Sequence, residues 1–434
     1  MTKQKNRRTE NLRTKYLPWQ TLDNSAHLFP VIAGERMTNT YRISAVLRDT
    51  VQPEILQQAL DIILPKFPLF DTRLRSGFFW YYLEENGKKA PRVRRENNYP
   101  CRFIRPRGNR DYLFRVTCWE RRINLEVYHV LTDGMGAMQF LRELVYQYLR
   151  LSEPSLRGYN DNSLSLGTSM NLEDSFLRNY RRKAPKTYHV TPCARITGEH
   201  LRDRQIGVIH CLMPVEQVRS AAKARGLSIN EYLVGVYAWA IYAAGRRDVR
   251  GGAIRVAVPI NLRSHFDSIT TKNFFVMASA TFDPEEDGCG FDDAMQAVRD
   301  SLRGQMSREH LEEIFSYNVS NQRHPLGRIT PLWLKNLAIR AVYRRSALAN
   351  STTMTNLGTV TVDPVYAPYI ENFHAVLAMS IGQNIKATVC SYNGTLTVTF
   401  SSSLRGAIIQ RCFCRQLVQD GIDIELQTNG VYYE

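Results

Sequence analysis

The sequence lacks several features that would place it in a large functional class. No apolar run reaches the roughly 18 residues of a membrane span, and the basic start MTKQKNRRTENLRTKY has no apolar secretion signal. The eight cysteines form no Cys-x-x-Cys pair, which favours reduced thiols and argues against structural zinc. Neither a Gly-x-Ser-x-Gly turn nor a nucleic-acid-binding motif occurs. We therefore expect a cytoplasmic protein with no metal, no nucleic-acid partner and no serine nucleophile.

The composition is that of an ordinary globular protein with excess positive charge. The 434 residues suffice for two domains, and 44% of them are hydrophobic and 23% charged. The net charge of +16 would attract polyanions: nucleic acid, an anionic membrane, CoA phosphates or an acidic carrier protein. A merely solvated basic surface is an equally good interpretation of that charge.

The clearest local pattern is a strand, a turn and a helix. Apolar residues alternate over positions 123–127 and His129 continues their face, which predicts a strand. Apolar residues recur at helical spacing over 140–149, which predicts a helix that Thr132 or Asp133 can cap. A histidine between a buried strand and a helix N-terminus suits acid–base chemistry, because the helix end brings a positive dipole.

Glycines at 134 and 136 let the chain turn tightly between the strand and the helix. Other interpretations of this pattern stay open. His129 could be a hydrogen-bonded core residue. His129 and Asp133 could form a metal pair, although that requires both to lie on one helix.

The string YHVLTDGMGA, with its His-x-x-x-Asp-Gly pattern, resembles the active-site motif of CoA- and carrier-dependent acyltransferases of the chloramphenicol acetyltransferase-like fold. That superfamily includes plant BAHD acyltransferases, condensation domains of peptide synthetases, wax ester synthases and alcohol acetyltransferases. Other stretches, in the expected order along nearly the whole chain, resemble the bacterial alcohol acetyltransferase and condensation-like branch: FPLFDTRL (67–74), FWYYLEE (79–85), LSINEYL (227–233), VPINLRSHF (258–266), KNFFVM (272–277) and TTMTNLG (352–358).

The resemblance implies an α/β fold of two similar chloramphenicol acetyltransferase-like lobes with a channel between them. The order strand–helix–strands–helix, which occurs once in each half, also suggests two similar lobes. We place a basic flexible arm at 1–16, an N-terminal lobe with the motif and a linker at 17–190, and a C-terminal lobe at 191–434.

The resemblance also assigns roles to the motif residues. His129 becomes the general base midway along the channel, since one imidazole can take a proton from the acceptor and return it to the leaving thiolate. Asp133 is expected to hold the loop by a salt bridge to Arg263, and Gly134 completes the motif. The alternative for Arg263 is a surface position at a strand end.

Five further residues are channel-lining candidates. Tyr128 stands where condensation domains commonly carry a second histidine, and Asn261 belongs to PINLR. Asn230 resembles the asparagine of the wax ester synthase Asn-Asp motif, but glutamate follows it here, which favours an ordinary helix N-cap. Asn356 and Gly358 match a late strand near the channel or form a simple turn.

Together these observations predict a monomeric acyltransferase that moves an acyl group from acyl-CoA to a small-molecule or lipid alcohol, or to an amine. No cofactor is bound; acyl-CoA, or the phosphopantetheine of an acyl carrier protein, is the co-substrate.

One alternative is a condensation-type enzyme that forms an ester or amide from carrier-protein thioesters. Another is a non-catalytic or lipid-surface protein of the same fold, with peripheral membrane contact through the basic arm and the amphipathic helix 333–345. Core packing is the ordinary account of that helix.

Overall fold

A computed structural model describes residues 19–159, 163–165, 167–181, 191–202, 205–245, 249–284 and 288–431. The predicted arm at 1–16 and the predicted boundary at 190 lie outside these ranges. The strands are β1 (Trp19–Thr21), β2 (Thr40–Leu47), β3 (Thr72–Ser76), β4 (Tyr81–Glu85), β5 (Arg94–Arg95), β6 (Phe114–Trp119), β7 (Arg122–Tyr128), β8 (Arg195–Ile196), β9 (Gly207–Pro214), β10 (Val249–Arg250), β11 (Ile254–Asn261), β12 (Phe275–Phe282), β13 (Thr352–Thr359), β14 (Ile370–Leu377), β15 (Ile385–Tyr392), β16 (Thr395–Ser402) and β17 (Glu425–Thr428).

The α-helices are α1 (Phe29–Ile32), α2 (Pro53–Ile63), α3 (Gly134–Ser152), α4 (Ser175–Arg178), α5 (Val215–Ala224), α6 (Ile229–Ala243), α7 (Phe291–Arg303), α8 (Arg308–Arg323), α9 (Pro325–Ile329), α10 (Leu332–Ser346) and α11 (Ile408–Gln419). Short 3₁₀ helices cover Leu64–Lys66, Pro106–Asn109, Pro154–Leu156, Ala347–Ala349 and Ala367–Tyr369. Among the described residues, none of the helices combines the length and the apolar character needed to cross a bilayer.

The first lobe is built on a five-stranded sheet in the order β14-β2-β7-β6-β5. Helix α2 begins with Pro53, where the missing N–H costs no helical hydrogen bond, and buries Leu56, Leu60 and Ile63. It packs against α3, whose apolar stripe includes Phe140. The predicted strand–helix pair around His129 is thus confirmed.

The second lobe is built on a seven-stranded sheet in the order β12-β11-β13-β15-β16-β9-β17. Helices α6, α7 and α11 supply much of its apolar core. The Asn393-Gly394 dipeptide forms the hairpin turn that joins β15 to β16, and both residues have the positive φ angles, 46° and 81°, that a two-residue turn requires.

One strand joins the two lobes. β14 follows β13 along the chain, yet it pairs antiparallel with β2 in the first sheet. Beside it, the Asn372 side-chain amide donates to Thr397 Oγ1 of the second sheet at 3.1 Å. The two-lobed α/β architecture is confirmed, and the segment after residue 191 contributes one strand to the first sheet.

Candidate active site

His129 lies directly after β7, at the point where the chain leaves the sheet. Its backbone N–H donates to the Asn39 carbonyl at 2.9 Å, which fixes the start of the turn. Asp133 then caps α3, accepting from the backbone N–H groups of Met135 at 3.1 Å and Gly136 at 3.3 Å. The expected proximity of a histidine and a helix N-terminus is present, and Asp133 occupies the N–H groups of that helix end.

Aromatic rings surround the His129 imidazole. Phe29 stacks on it with ring centroids 4.5 Å apart, and Tyr41 and Phe275 approach it at 5.0 and 5.6 Å. Burial lowers the pKa of His129 below its ordinary value, and the positive charge of Lys386 acts in the same direction. His129 is therefore neutral near pH 7, the state that can accept a proton.

Asn273 holds the imidazole in one orientation. Its Oδ1 lies 3.0 Å from His129 Nδ1, while its Nδ2 donates to Asp23 Oδ2 at 2.9 Å and to the His129 carbonyl at 3.4 Å. Because both of those partners are acceptors, Asn273 Oδ1 must accept from His129, so the proton sits on Nδ1. The lone pair is then on Nε2.

Asp23 anchors this chain of hydrogen bonds. Its other oxygen accepts from the Ala26 N–H at 2.8 Å, and its side chain is buried. Burial raises the pKa of Asp23 to about 7, and the hydrogen bond from Asn273 opposes that rise. Neither Asp23 nor Asn273 was predicted as a site residue, although Asn273 lies inside the KNFFVM stretch.

Asp133 forms an ion pair with Arg263, not with His129. Arg263 NH1 lies 2.9 Å from Asp133 Oδ2 and its NH2 lies 3.0 Å from Oδ1. The Phe274 N–H also donates to this carboxylate at 3.1 Å. Arg263 Nε donates to the Thr270 carbonyl, and Asn261 Oδ1 accepts from the Arg263 N–H. The pair ties the start of α3 to the second-lobe loop after β11.

Gly134 and Gly136 are needed for close packing. A Cβ atom on Gly134 would lie 2.5 Å from Leu357, and one on Gly136 would lie 2.1 Å from Thr132 Oγ1 and 2.5 Å from the Thr271 carbonyl. Neither glycine has a positive φ angle. The glycines therefore let Leu357 and Thr271 of the second lobe approach the helix, and Gly136 also leaves room for the Thr132 side chain of the turn itself.

The structure gives no support to a metal pair at His129 and Asp133. The Asp133 carboxylate is occupied by Arg263 and by backbone N–H groups. In the described ranges, His, Cys, Asp and Glu side chains form no group of three or more that could hold a metal ion.

A cavity of about 1780 Å³ lies between the lobes, and we call it the interlobe cavity. His129 lines it. So do four of the five predicted channel residues: Asn230, Asn261, Asn356 and Gly358. Tyr128 is not among the lining residues; it is buried in the first-lobe core, because successive strand residues point to opposite faces. The volume exceeds the roughly 300–1,000 Å³ of a usual ligand pocket.

Three of the lining residues form one polar cluster. Asn356 Nδ2 lies 3.4 Å from Asn230 Oδ1, and the Gly358 N–H donates to Asn356 Oδ1 at 2.7 Å. Gly358 has a φ of 74°, at an irregularity in β13. The preference for Asn230 as an N-cap is wrong: Ser228 caps α6, in a capping box with Glu231, and Asn230 lies in the first turn.

Comparison with known proteins identifies the fold. No protein-family model matches the sequence, and no curated protein matches it. Polyketide synthase associated protein 5 from Mycobacterium tuberculosis superposes with a TM-score of 0.58 at 14% identity, covering 92% of this chain and 97% of that one. Trichothecene 15-O-acetyltransferase from Fusarium sporotrichioides superposes with a TM-score of 0.58 at 10% identity, covering 93% of this chain and 95% of that one. The first condensation domain of the CDA synthetase superposes with a TM-score of 0.56 at 12% identity, covering 93% of this chain and 96% of that one. The chain thus has the two-lobed fold of condensation domains and chloramphenicol acetyltransferase-like acyltransferases.

Proposed function

We propose that the protein transfers an acyl group from a thioester to a hydroxyl or amine acceptor, with His129 as the general base. The observation that carries the proposal is the His129 imidazole, which lines a cavity large enough for two substrates and has Nδ1 engaged by Asn273. The lone pair of Nε2 is thereby free to accept a proton. Two of the structural neighbours are an acetyltransferase and a condensation domain, which agrees with this chemistry.

The reaction needs no acyl-enzyme. Nε2 removes the proton from the acceptor as its oxygen or nitrogen forms a bond to the thioester carbonyl carbon. The tetrahedral intermediate then collapses, the C–S bond breaks, and the imidazolium returns the proton to the departing thiolate. Neutral His129 begins and ends the cycle, so one side chain serves as base and then as acid.

We favour acyl-CoA as the donor and an alcohol as the acceptor, as in alcohol acetyltransferases. The support is the family resemblance of the motif, together with Tyr128 at the position where condensation domains commonly carry a second histidine. A carrier-protein thioester is the alternative donor, and the net charge of +16 suits an acidic carrier as well as it suits CoA.

A donor–acceptor screen tests the proposal. Release of free thiol would be followed with a series of acyl-CoA thioesters and alcohols, with the His129→Ala protein as the blank. We expect release that depends on both the acceptor and His129. Release only from carrier-bound thioesters would favour the condensation-type alternative, and no His129-dependent release from either donor would contradict acyl transfer.

A second candidate role, binding to a lipid surface, is favoured by helix α10. None of its residues is fully buried, so the core-packing account of this helix is wrong. Trp333, Leu337 and Val342 are 65%, 54% and 67% exposed. The helix has no acidic residue and four basic ones: Arg340, Arg344 and Arg345 are exposed, whereas Lys335 lines the interlobe cavity. An exposed apolar and basic face suits an anionic lipid surface. The predicted basic arm lies outside the described residues.

Vesicle sedimentation separates this role from a merely solvated helix. We expect the protein to pellet with phosphatidylserine-containing vesicles but not with pure phosphatidylcholine, and Trp333→Ser with Leu337→Ser to abolish pelleting. Trp119→Ser is the matched control, because Trp119 is 47% exposed at the end of β6. Equal pelleting of the wild type and the α10 variant would contradict the role.

A further inference from the structure

The interlobe cavity has an excess of positive charge. Of the Asp, Glu, Lys and Arg residues that the structure places along its wall, one is acidic, Asp133, and four are basic: Arg255, Arg263, Lys335 and Lys386. Asp133 and Arg263 neutralise each other. The other three cations, Arg255, Lys335 and Lys386, therefore have no carboxylate partner in the cavity wall.

Two of these cations have other partners. Arg255 NH1 donates to the Thr191 carbonyl at 2.8 Å. The Lys335 ammonium lies 3.4 Å from the centre of the Trp80 ring and donates to the Phe79 carbonyl at 2.9 Å. Both side chains also have access to water, since neither residue is buried. Neither therefore requires an anion in the cavity.

Lys386, on β15, differs from them because it is buried. Only 8% of the residue is exposed, and Nζ donates to Ser380 Oγ at 2.5 Å. Within the described part of the chain, no carboxylate lies within ion-pair distance of it. A buried ammonium with only a neutral partner is unfavourable, because it loses hydration without gaining an opposite charge.

The surroundings of Lys386 are polar and connected. Ser380 pairs with Gln383 across a short turn, and Gln383 Oε1 accepts from Thr353 Oγ1 at 2.8 Å. These four residues line the interlobe cavity together with His129. Lys386 is also close enough to His129 to affect the pKa of the imidazole, after the larger effect of burial.

We propose that Lys386 binds a carboxylate carried by a substrate that reacts at His129. Resting on the acyl transfer proposed above, this narrows the substrate class to a hydroxy acid acceptor or a dicarboxylic acyl donor. In either case the carboxylate replaces the hydration that the ammonium lost on burial. The ion pair also places the rest of the substrate in the cavity that holds the imidazole.

A binding experiment tests the carboxylate site without any turnover. Calorimetry would compare butanoate, hexanoate and octanoate with the alcohols of the same length. We expect the wild type to bind the carboxylates at least tenfold more tightly. Lys386→Met should remove that preference and Lys386→Arg should retain it, with melting temperatures recorded for each. Lys335→Met, which removes a different cation of the same cavity, should leave the preference unchanged.

Activity then distinguishes the two sources of the carboxylate. If the acceptor carries it, ω-hydroxy acids should be better acceptors than the matching diols, and Lys386→Met should abolish the difference. If the donor carries the carboxylate, succinyl-CoA should be preferred over butyryl-CoA, and Lys386→Met should abolish that preference. A wild type that binds carboxylates and alcohols equally would overturn the proposal. So would a Lys386→Met protein that loses turnover of neutral and anionic substrates equally. A protein that binds carboxylates through Lys386 but releases no thiol would contradict acyl transfer and leave the carboxylate site intact.

Discussion

The protonation state of His129 decides whether it can act as a base. Burial lowers the pKa of His129, so the group loses its proton more readily than a solvated histidine. Activity requires the neutral imidazole and should fall as the pH drops through this lowered pKa. We expect the acid limb of kcat/KM to lie below the ordinary histidine value near 6.5. An acid limb at or above 6.5 in the Asp23→Asn protein, measured with a verified substrate pair, would contradict this assignment.

Asp23 provides the control for that profile. Burial raises the pKa of Asp23 to about 7, so Asp23 titrates within the pH range over which the activity would be measured. Asp23→Asn removes this titration and keeps an oxygen that can accept from Asn273. The acid limb that remains in this variant belongs to His129.

Asn273 is a positioning residue, and its removal should affect the rate more than substrate binding. Asn273→Ala removes the acceptor at His129 Nδ1, so the imidazole no longer favours the tautomer with its lone pair on Nε2. We expect kcat to fall roughly ten- to hundredfold, typical for a group that orients a functional side chain, with KM little changed. The acid limb should also move to lower pH, because the hydrogen bond that His129 donates to Asn273 raises the pKa of His129. Loss confined to KM, or an unmoved limb, would show that Asn273 only supports packing.

At the residue scale the sequence predicted the motif but not its hydrogen-bonded partners. His129 and Asp133 stand four residues apart in a recognisable pattern. Asn273 lies 144 residues from His129 and Asp23 lies 250 residues from Asn273. Such contacts depend on how the lobes meet, which local spacing does not determine.

At the scale of elements, the Asp133–Arg263 pair joins α3 to the loop after β11. Both side chains are nearly buried, with 9% and 11% exposed. Removing one partner leaves a buried charge without compensation, which costs about 3–5 kcal/mol. We expect Asp133→Ala and Arg263→Ala each to lower stability and activity, and the double variant to lose much less than the sum.

Denaturant unfolding of the two single variants and the double variant measures this coupling. Arg105→Ala is the control, because Arg105 pairs with Glu35 at the surface with 75% of its side chain exposed. Such exposed pairs contribute about 0–1 kcal/mol. Additive effects of the Asp133 and Arg263 substitutions would show that the pair does not couple the two elements.

Elements with strong local signals were predicted, and elements defined by distant partners were not. The β7–α3 unit and the Asn393-Gly394 hairpin follow from periodicity and turn chemistry. The placement of β14 in the first sheet was not predicted, since its partner β2 is about 330 residues earlier. Glu126, on the face of β7 opposite to that of Leu125 and Val127, is buried and paired with Arg42 at 2.7 Å. Alternation alone does not reveal that both faces of this sheet are covered.

At the scale of the whole molecule, the proposed direct transfer requires both substrates to occupy the interlobe cavity at once. Because no acyl-enzyme is required, we expect kinetics of a ternary complex, with intersecting double-reciprocal plots. Parallel plots, or an acyl group found on the protein by intact mass, would contradict direct transfer.

Binding of CoA should weaken as salt rises, since exposed charges are screened beyond about 8 Å at physiological ionic strength.

The central claim is that His129 is the base of an acyl transfer, and a comparison of kcat in wild type and His129→Ala tests it most directly. The substitution leaves the Asp133–Arg263 pair untouched, so the melting temperature should change little. General acid–base assistance is worth roughly 100- to 10,000-fold, and we predict a loss of kcat within that range for a verified thioester and acceptor. A folded His129→Ala protein with the wild-type kcat would contradict the account.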